Sequence, residues 1–225
     1  MSSSALFPAT DQNALKRAAR LSAAAMLMVC LASGYVVTLS IALSYLIDPD
    51  FYFLFYGQRD PAGAQRLSIY IHIIPGLIAL LFGPWQFSSR FRAASPGIHR
   101  LTGWLYVFSV ATSVVAALRL SVHAYGGLAN GAGFALAALA WAVTTGWGLT
   151  MAIKRNVVQH RRWMIRSYTV TLAAASLRFQ LGFLTGVTGL EFDRAYAFVA
   201  WTCWIPLMLL TEIWLRIPRP ESVAR

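Results

Sequence analysis

The sequence predicts an all-α fold, a polytopic membrane helix bundle of about six transmembrane helices with both termini cytoplasmic. Composition, a series of long apolar runs and the alternation of basic residues between them carry that prediction. Of 225 residues, 58% are hydrophobic and only 12% charged, with a mean hydropathy of +0.58. Such a chain is not an aqueous globule, and with 13% aromatic residues it has the opposite of a disordered composition. The net charge of +11 would point to nucleic acid in a soluble protein. Here the basic residues fall between apolar runs, so the charge belongs to membrane topology and no nucleic-acid partner is expected. Cys30 and Cys203 both lie inside apolar runs, and two cysteines are too few for a disulfide framework or a four-cysteine zinc site.

Residues 1–20 read as a cytoplasmic tail. The first apolar run, 21–47, is too long for a signal core and has no small-residue cleavage site ahead of a polar domain, so it reads as a permanent helix. The connection 48–66 reads as an outer loop whose aromatic segment, Phe51 to Tyr56, suits the headgroup region. Five further runs, about 67–88, 101–120, 132–153, 163–186 and 195–215, make a five-helix membrane domain over 67–216, followed by a cytoplasmic tail at 217–225. At about 1.5 Å per residue each run can cross roughly 30 Å of hydrocarbon. One set of connections holds Lys16, Arg17, Arg20, Arg90, Arg92, Arg100, Lys154, Arg155, Arg161, Arg162, Arg216, Arg219 and Arg225, thirteen in all; the other holds only Arg59, Arg66, Arg119 and Arg194. By the positive-inside rule the first set is cytoplasmic, and the even helix count agrees by placing both termini on one side. A multi-pass protein of a bacterial inner membrane, with the lipid bilayer as its surroundings, is the resulting expectation.

Ionisable groups within apolar runs are costly and mark where function is written. His72 lies three residues before Pro75, which leaves the Ile71 carbonyl without its helical partner. It is a candidate haem or metal ligand or proton carrier, or else a histidine bonded to a neighbouring helix. His99, Gly103 and Tyr106 share one helix face at i, i+4 and i+7. The fifth run opens with His160 and carries Arg178 eighteen residues on, five turns later and on the same face. Glu212, the only acidic residue within an apolar run, is too near the other end to pair with Arg178. An unpaired interior arginine costs several kcal/mol, so carbonyls, water or an anionic ligand must compensate it. Arg166 and Glu212, each about one turn inside the boundary, are expected to form a structural ion pair. Gly182 and Gly186 form a GxxxG that reads as helix packing. The sequence contains no nucleotide-binding loop, zinc-protease motif or nucleophile elbow, and it designates no catalytic residue.

Taken together, His72, Gly83-Pro84-Trp85-Gln86-Phe87, His99-Arg100 with Gly103 and Tyr106, His160 to Ser167 and Arg178 make the chain resemble the bacterial membrane-protein family catalogued as domain of unknown function 2306, over roughly residues 67–215. That resemblance implies a polytopic membrane domain and no particular reaction. More remotely, histidines near both membrane faces are similar to the b-type haem cytochromes, although His99 and His123 sit about 36 Å apart on one helix, at or beyond its ends. These readings make His72, His99, His160 and Arg178 the candidate cofactor-binding residues, for one haem b or a quinone, with His72 the candidate metal ligand. Two other functions stay open: an assembly or accessory factor with a membrane-complex partner, and a small-anion transporter, for which the repeats of common transporters are missing.

Overall fold

The computed structural model describes residues 28, 31–44, 47 and 65–217. The expected N-terminal tail, the aromatic segment 51–56 and residues 218–225 lie outside the described residues. Every regular element among the described residues is a helix. In chain order these are α1 (Leu31–Ser44), α2 (Arg66–Gln86), α3 (Ser89–Ala94), α4 (Pro96–Val122), α5 (Leu128–Ile153), α6 (Val157–Thr171), α7 (Ala173–Gly186), α8 (Phe192–Thr202) and α9 (Ile205–Arg216). Among the described residues, α2, α4, α5 and the pair α8–α9 are long and apolar enough to cross a membrane. Only 17–33% of the most apolar window of each is buried within the protein. The rest of each apolar surface faces outward, as lipid requires and water does not permit. The fifth apolar run is divided into α6, of 15 residues, and α7, of 14, by Leu172, whose backbone stays right-handed.

Local chemistry sets the boundaries. Pro96 opens α4 at its first turn, where its missing N–H costs nothing. The Asn156 side chain caps α6 by accepting from Gln159 N at 3.1 Å. Gly126 and Gly127, at φ 79° and 86°, turn the chain between α4 and α5 in a region that suits glycine. Prolines free carbonyls four residues back, Pro84 inside α2 and Pro206 in the first turn of α9, and neighbouring helices answer both. Pro84 frees Leu80 O, which accepts from Tyr168 OH at 3.1 Å, and Pro206 frees Thr202 O, which accepts from Gln180 Nε2 at 3.1 Å.

The principal packing pairs are α2 with α4 and α5 with α6. Ala79, Tyr106, Val110, Val114, Trp141 and Val170 form the buried centre between them. Close backbone approach occurs at Gly34, where a Cβ would collide with the Ala175 carbonyl, and at Gly133, where it would meet Ala200 O at 2.8 Å. The expected packing at Gly182 and Gly186 is not found: nothing lies within 4 Å of a Cβ at either, because that stripe of α7 turns outward.

Candidate functional site

Two half-open cavities lie toward opposite ends of the bundle, and each is lined by two of the four histidines. One, of about 300 Å³, is bordered by His72, His123, Arg178 and Cys203. The other, of about 780 Å³, is bordered by His99 and His160. The candidate residues are thus divided, His72 with Arg178 and His99 with His160.

In the smaller cavity, His72 is held by a reciprocal contact between α2 and α4. Its Nδ1 lies 3.2 Å from Ser113 O, while Ser113 Oγ donates to His72 O at 2.7 Å. The imidazole therefore carries its proton on Nδ1 when neutral, and Nε2 is left with a free lone pair. The oxygen that orients His72 belongs to Ser113 rather than to the proline-freed Ile71 carbonyl. Among the described residues, Arg178 donates one long bond, from Nη1 to Ala174 O at 3.4 Å, within its own helix. Its charge lies close enough to act on both His72 and Cys203. A guanidinium has five N–H donors, and Arg178 borders the cavity.

At the larger cavity, His160 is oriented by Gly148 O, 2.8 Å from its Nδ1, which leaves Nε2 free. His99 Nδ1 is buried without a hydrogen-bond partner. Arg92, Arg100, Arg155, Arg161 and Arg162 also border this cavity, and no acidic residue among the described residues does.

Buried hydroxyls lie between the two cavities. Tyr106 OH is 2.8 Å from Ser167 Oγ and 2.9 Å from Thr171 Oγ1; Thr145 Oγ1 is 2.7 Å from Ser167 Oγ, and Trp141 Nε1 donates to Thr171 Oγ1 at 3.0 Å. Tyr106 borders the larger cavity, while Thr171 and Trp141 border the smaller. Arg166 reaches Glu212 with both arms of its fork, Nε to Oε1 and Nη2 to Oε2 at 3.0 Å, and its guanidinium carbon lies 4.6 Å from the Trp163 ring centre. That arginine, paired with a carboxylate through two donors, contrasts with Arg178.

Sequence reasoning placed Ser167 and Thr171 on the inward stripe of the fifth run but missed Ser113, Gln180 and Thr145. Their only signal is a polar group in an apolar run, which serine and threonine give too often to single any one out.

Comparison with known proteins adds one finding. No curated protein and no solved structure matches the chain. A family model described as "Predicted membrane protein (DUF2306)" matches residues 69–215, well over half of the chain, and this span contains both cavities' histidines, Arg178 and the Arg166–Glu212 pair, so the protein belongs to that membrane-protein family.

Proposed function

We propose that the protein is a six-span inner-membrane protein with both termini cytoplasmic, and that its His72–Arg178 cavity binds a redox carrier bearing a carbonyl or carboxylate. The carrying observation is an arginine with one 3.4 Å bond among the described residues and a histidine whose Nδ1 is occupied by Ser113 O, both lining one half-open cavity. Arg178 would meet a ring carbonyl or a propionate with its planar fork. His72, its tautomer set by Ser113 O, would accept a proton or ligate iron through Nε2. Of the two carriers, a quinone suits the space better than haem b. About 300 Å³ is the lower end of the range for small-molecule sites, room for a single ring with its tail among lipids rather than for a whole macrocycle. The six-span reading takes α1 and the α6–α7 pair as the two crossings besides the four long apolar helices.

The test is the ligand content of detergent-purified protein, read by solvent extraction with mass spectrometry and by the visible spectrum. Wild type is expected to carry a quinone, Arg178→Ala to lose it, and Arg178→Lys to recover only part, since an ammonium lacks the fork. Absence of both an extracted quinone and a Soret band would remove this reading.

A further inference from the structure

The larger cavity has a chemistry that the redox reading does not use. Arg92 comes from α3, Arg100 from α4, Arg155 from the α5–α6 turn and Arg161 from α6, so four separate segments bring exposed arginines to the border of one hollow. Arg162, by contrast, is engaged, donating to Leu215 O at 3.0 Å. Arg155 sits at φ 55°, a left-handed conformation that costs a non-glycine residue energy and persists where surrounding structure holds it. Four like charges drawn together with no acidic residue among the described lining residues repel one another until an anion arrives. Deeper in, the wall becomes apolar, with Trp104, Val107 and Met164. From His99 to Tyr106, both on α4 and both at the cavity, the depth is about 10 Å along the helix.

We propose that this cavity binds a phosphate group carried on an apolar chain, with the phosphate among Arg92, Arg100, Arg155 and Arg161 and the chain running inward past Trp104 and Met164. Forked guanidinium donors match the several oxygens and the double charge of a phosphate better than the two oxygens of a carboxylate. His99 borders the cavity with its Nδ1 buried and without a partner in the protein, and a turn of its ring on filling the site brings that nitrogen to a phosphate oxygen. A bilayer lipid headgroup and a soluble phosphate share this chemistry; the apolar depth favours the lipid.

Full-length protein in a neutral detergent is titrated calorimetrically with dioctanoyl phosphatidic acid, with dioctanoylglycerol, which has the same chains and no phosphate, and with inorganic phosphate. Phosphatidic acid is expected to bind, more weakly as salt rises, and the other two to bind at least about tenfold more weakly. Arg92→Gln/Arg161→Gln is expected to weaken phosphatidic acid by about 25-fold, at roughly fivefold per cation. Arg90→Gln/Lys154→Gln removes equal charge at the same end outside the cavity and should change it less than about twofold. Should the first pair fail to fold, His99→Leu serves instead, with a loss of about tenfold expected for one hydrogen bond to a charged group. Equal weakening by the two arginine and lysine pairs, or equal binding of dioctanoylglycerol, would overturn the site. Inorganic phosphate binding as tightly as the lipid would overturn the claim that the ligand brings its own apolar chain. Because neither arm touches His72 or Arg178, the redox reading stands or falls separately.

Discussion

Four hydroxyls around Tyr106 share fewer protons than contacts. Tyr106, Thr145, Ser167 and Thr171 contribute one proton each, yet Tyr106–Ser167, Tyr106–Thr171, Thr145–Ser167, Thr171 to Ser167 O and Thr145 to Trp141 O are five contacts. One contact is always without a proton, so removing either end of the chain lets the remaining protons rearrange. Tyr106→Phe and Thr145→Val should each lose one made bond, about 1 kcal/mol, although Tyr106 has twice the hydroxyl neighbours. Together they leave the Ser167 hydroxyl without either of its partners, and the double variant should lose at least about 1 kcal/mol more than the sum, measurable by denaturation in detergent. At the bundle's edge, Tyr125 OH donates to Asp193, and this bond, more than burial or the carboxylate's charge, raises the phenol above its ordinary value of 10.0. A raised pKa means the contact's contribution is complete below the ordinary value and is lost as pH climbs through the folded one. Tyr125 is expected to titrate later in wild type than in Asp193→Asn, followed by tyrosinate absorbance. At this scale the sequence made His72 and Arg178 legible because ionisable groups in apolar runs are rare. It did not make Ser113 legible, because which hydroxyl meets His72 depends on how α2 registers against α4.

Prolines tie the helices to one another by the carbonyls they expose. Gln180 on α7 and Thr202 on α8 make a paired contact: Gln180 Nε2 donates to the freed Thr202 O at 3.1 Å, and Thr202 Oγ1 donates back to Gln180 Oε1 at 2.6 Å. Gln180→Leu should therefore destabilise the protein by about 1–3 kcal/mol. In a Pro206→Ala background the restored N–H can satisfy Thr202 O within a continuous helix, and the same substitution should cost clearly less. Equal losses in both backgrounds would mean that the proline does not create the demand that Gln180 answers. The interruption between α8 and α9 was foreseeable from Pro206. The one at Leu172 was not, since neither proline nor glycine marks it, and a face counted from His160 to Arg178 runs straight through it. The GxxxG of α7 misled for a related reason: small residues permit close approach without saying from which side a helix comes. That role fell to Gly34 and Gly133, which meet carbonyls of α7 and α8.

For the whole molecule, topology turns on two segments. The four long apolar spans alone return the chain to its starting side, as they do if α1 and α6–α7 both cross; one extra crossing would put the termini on opposite sides. Charge argues for the crossing by α6–α7. Arg92, Arg100, Arg155 and Arg161 gather at one end of the bundle, and Asp193, bonded to Tyr125 beyond the far end of α4, stands at the other. For Arg155 and Asp193 to occupy opposite ends, the 30 residues of α6–α7 must carry the chain from one to the other, and at about 1.5 Å each they span some 45 Å, more than the hydrocarbon thickness. A fluorescent reporter that matures only in the cytoplasm and a phosphatase active only outside it, fused in separate proteins after Arg155, after Gly189 and after Arg225, discriminate the cases. The fusions after Arg155 and Arg225 are expected to fluoresce, and the one after Gly189 to show phosphatase activity. If Arg155 and Gly189 report the same side, α6–α7 is a re-entrant or interfacial element. The six-span count would then fail, while α4, with His99 near one end and His123 just past the other, would still hold the two cavities apart.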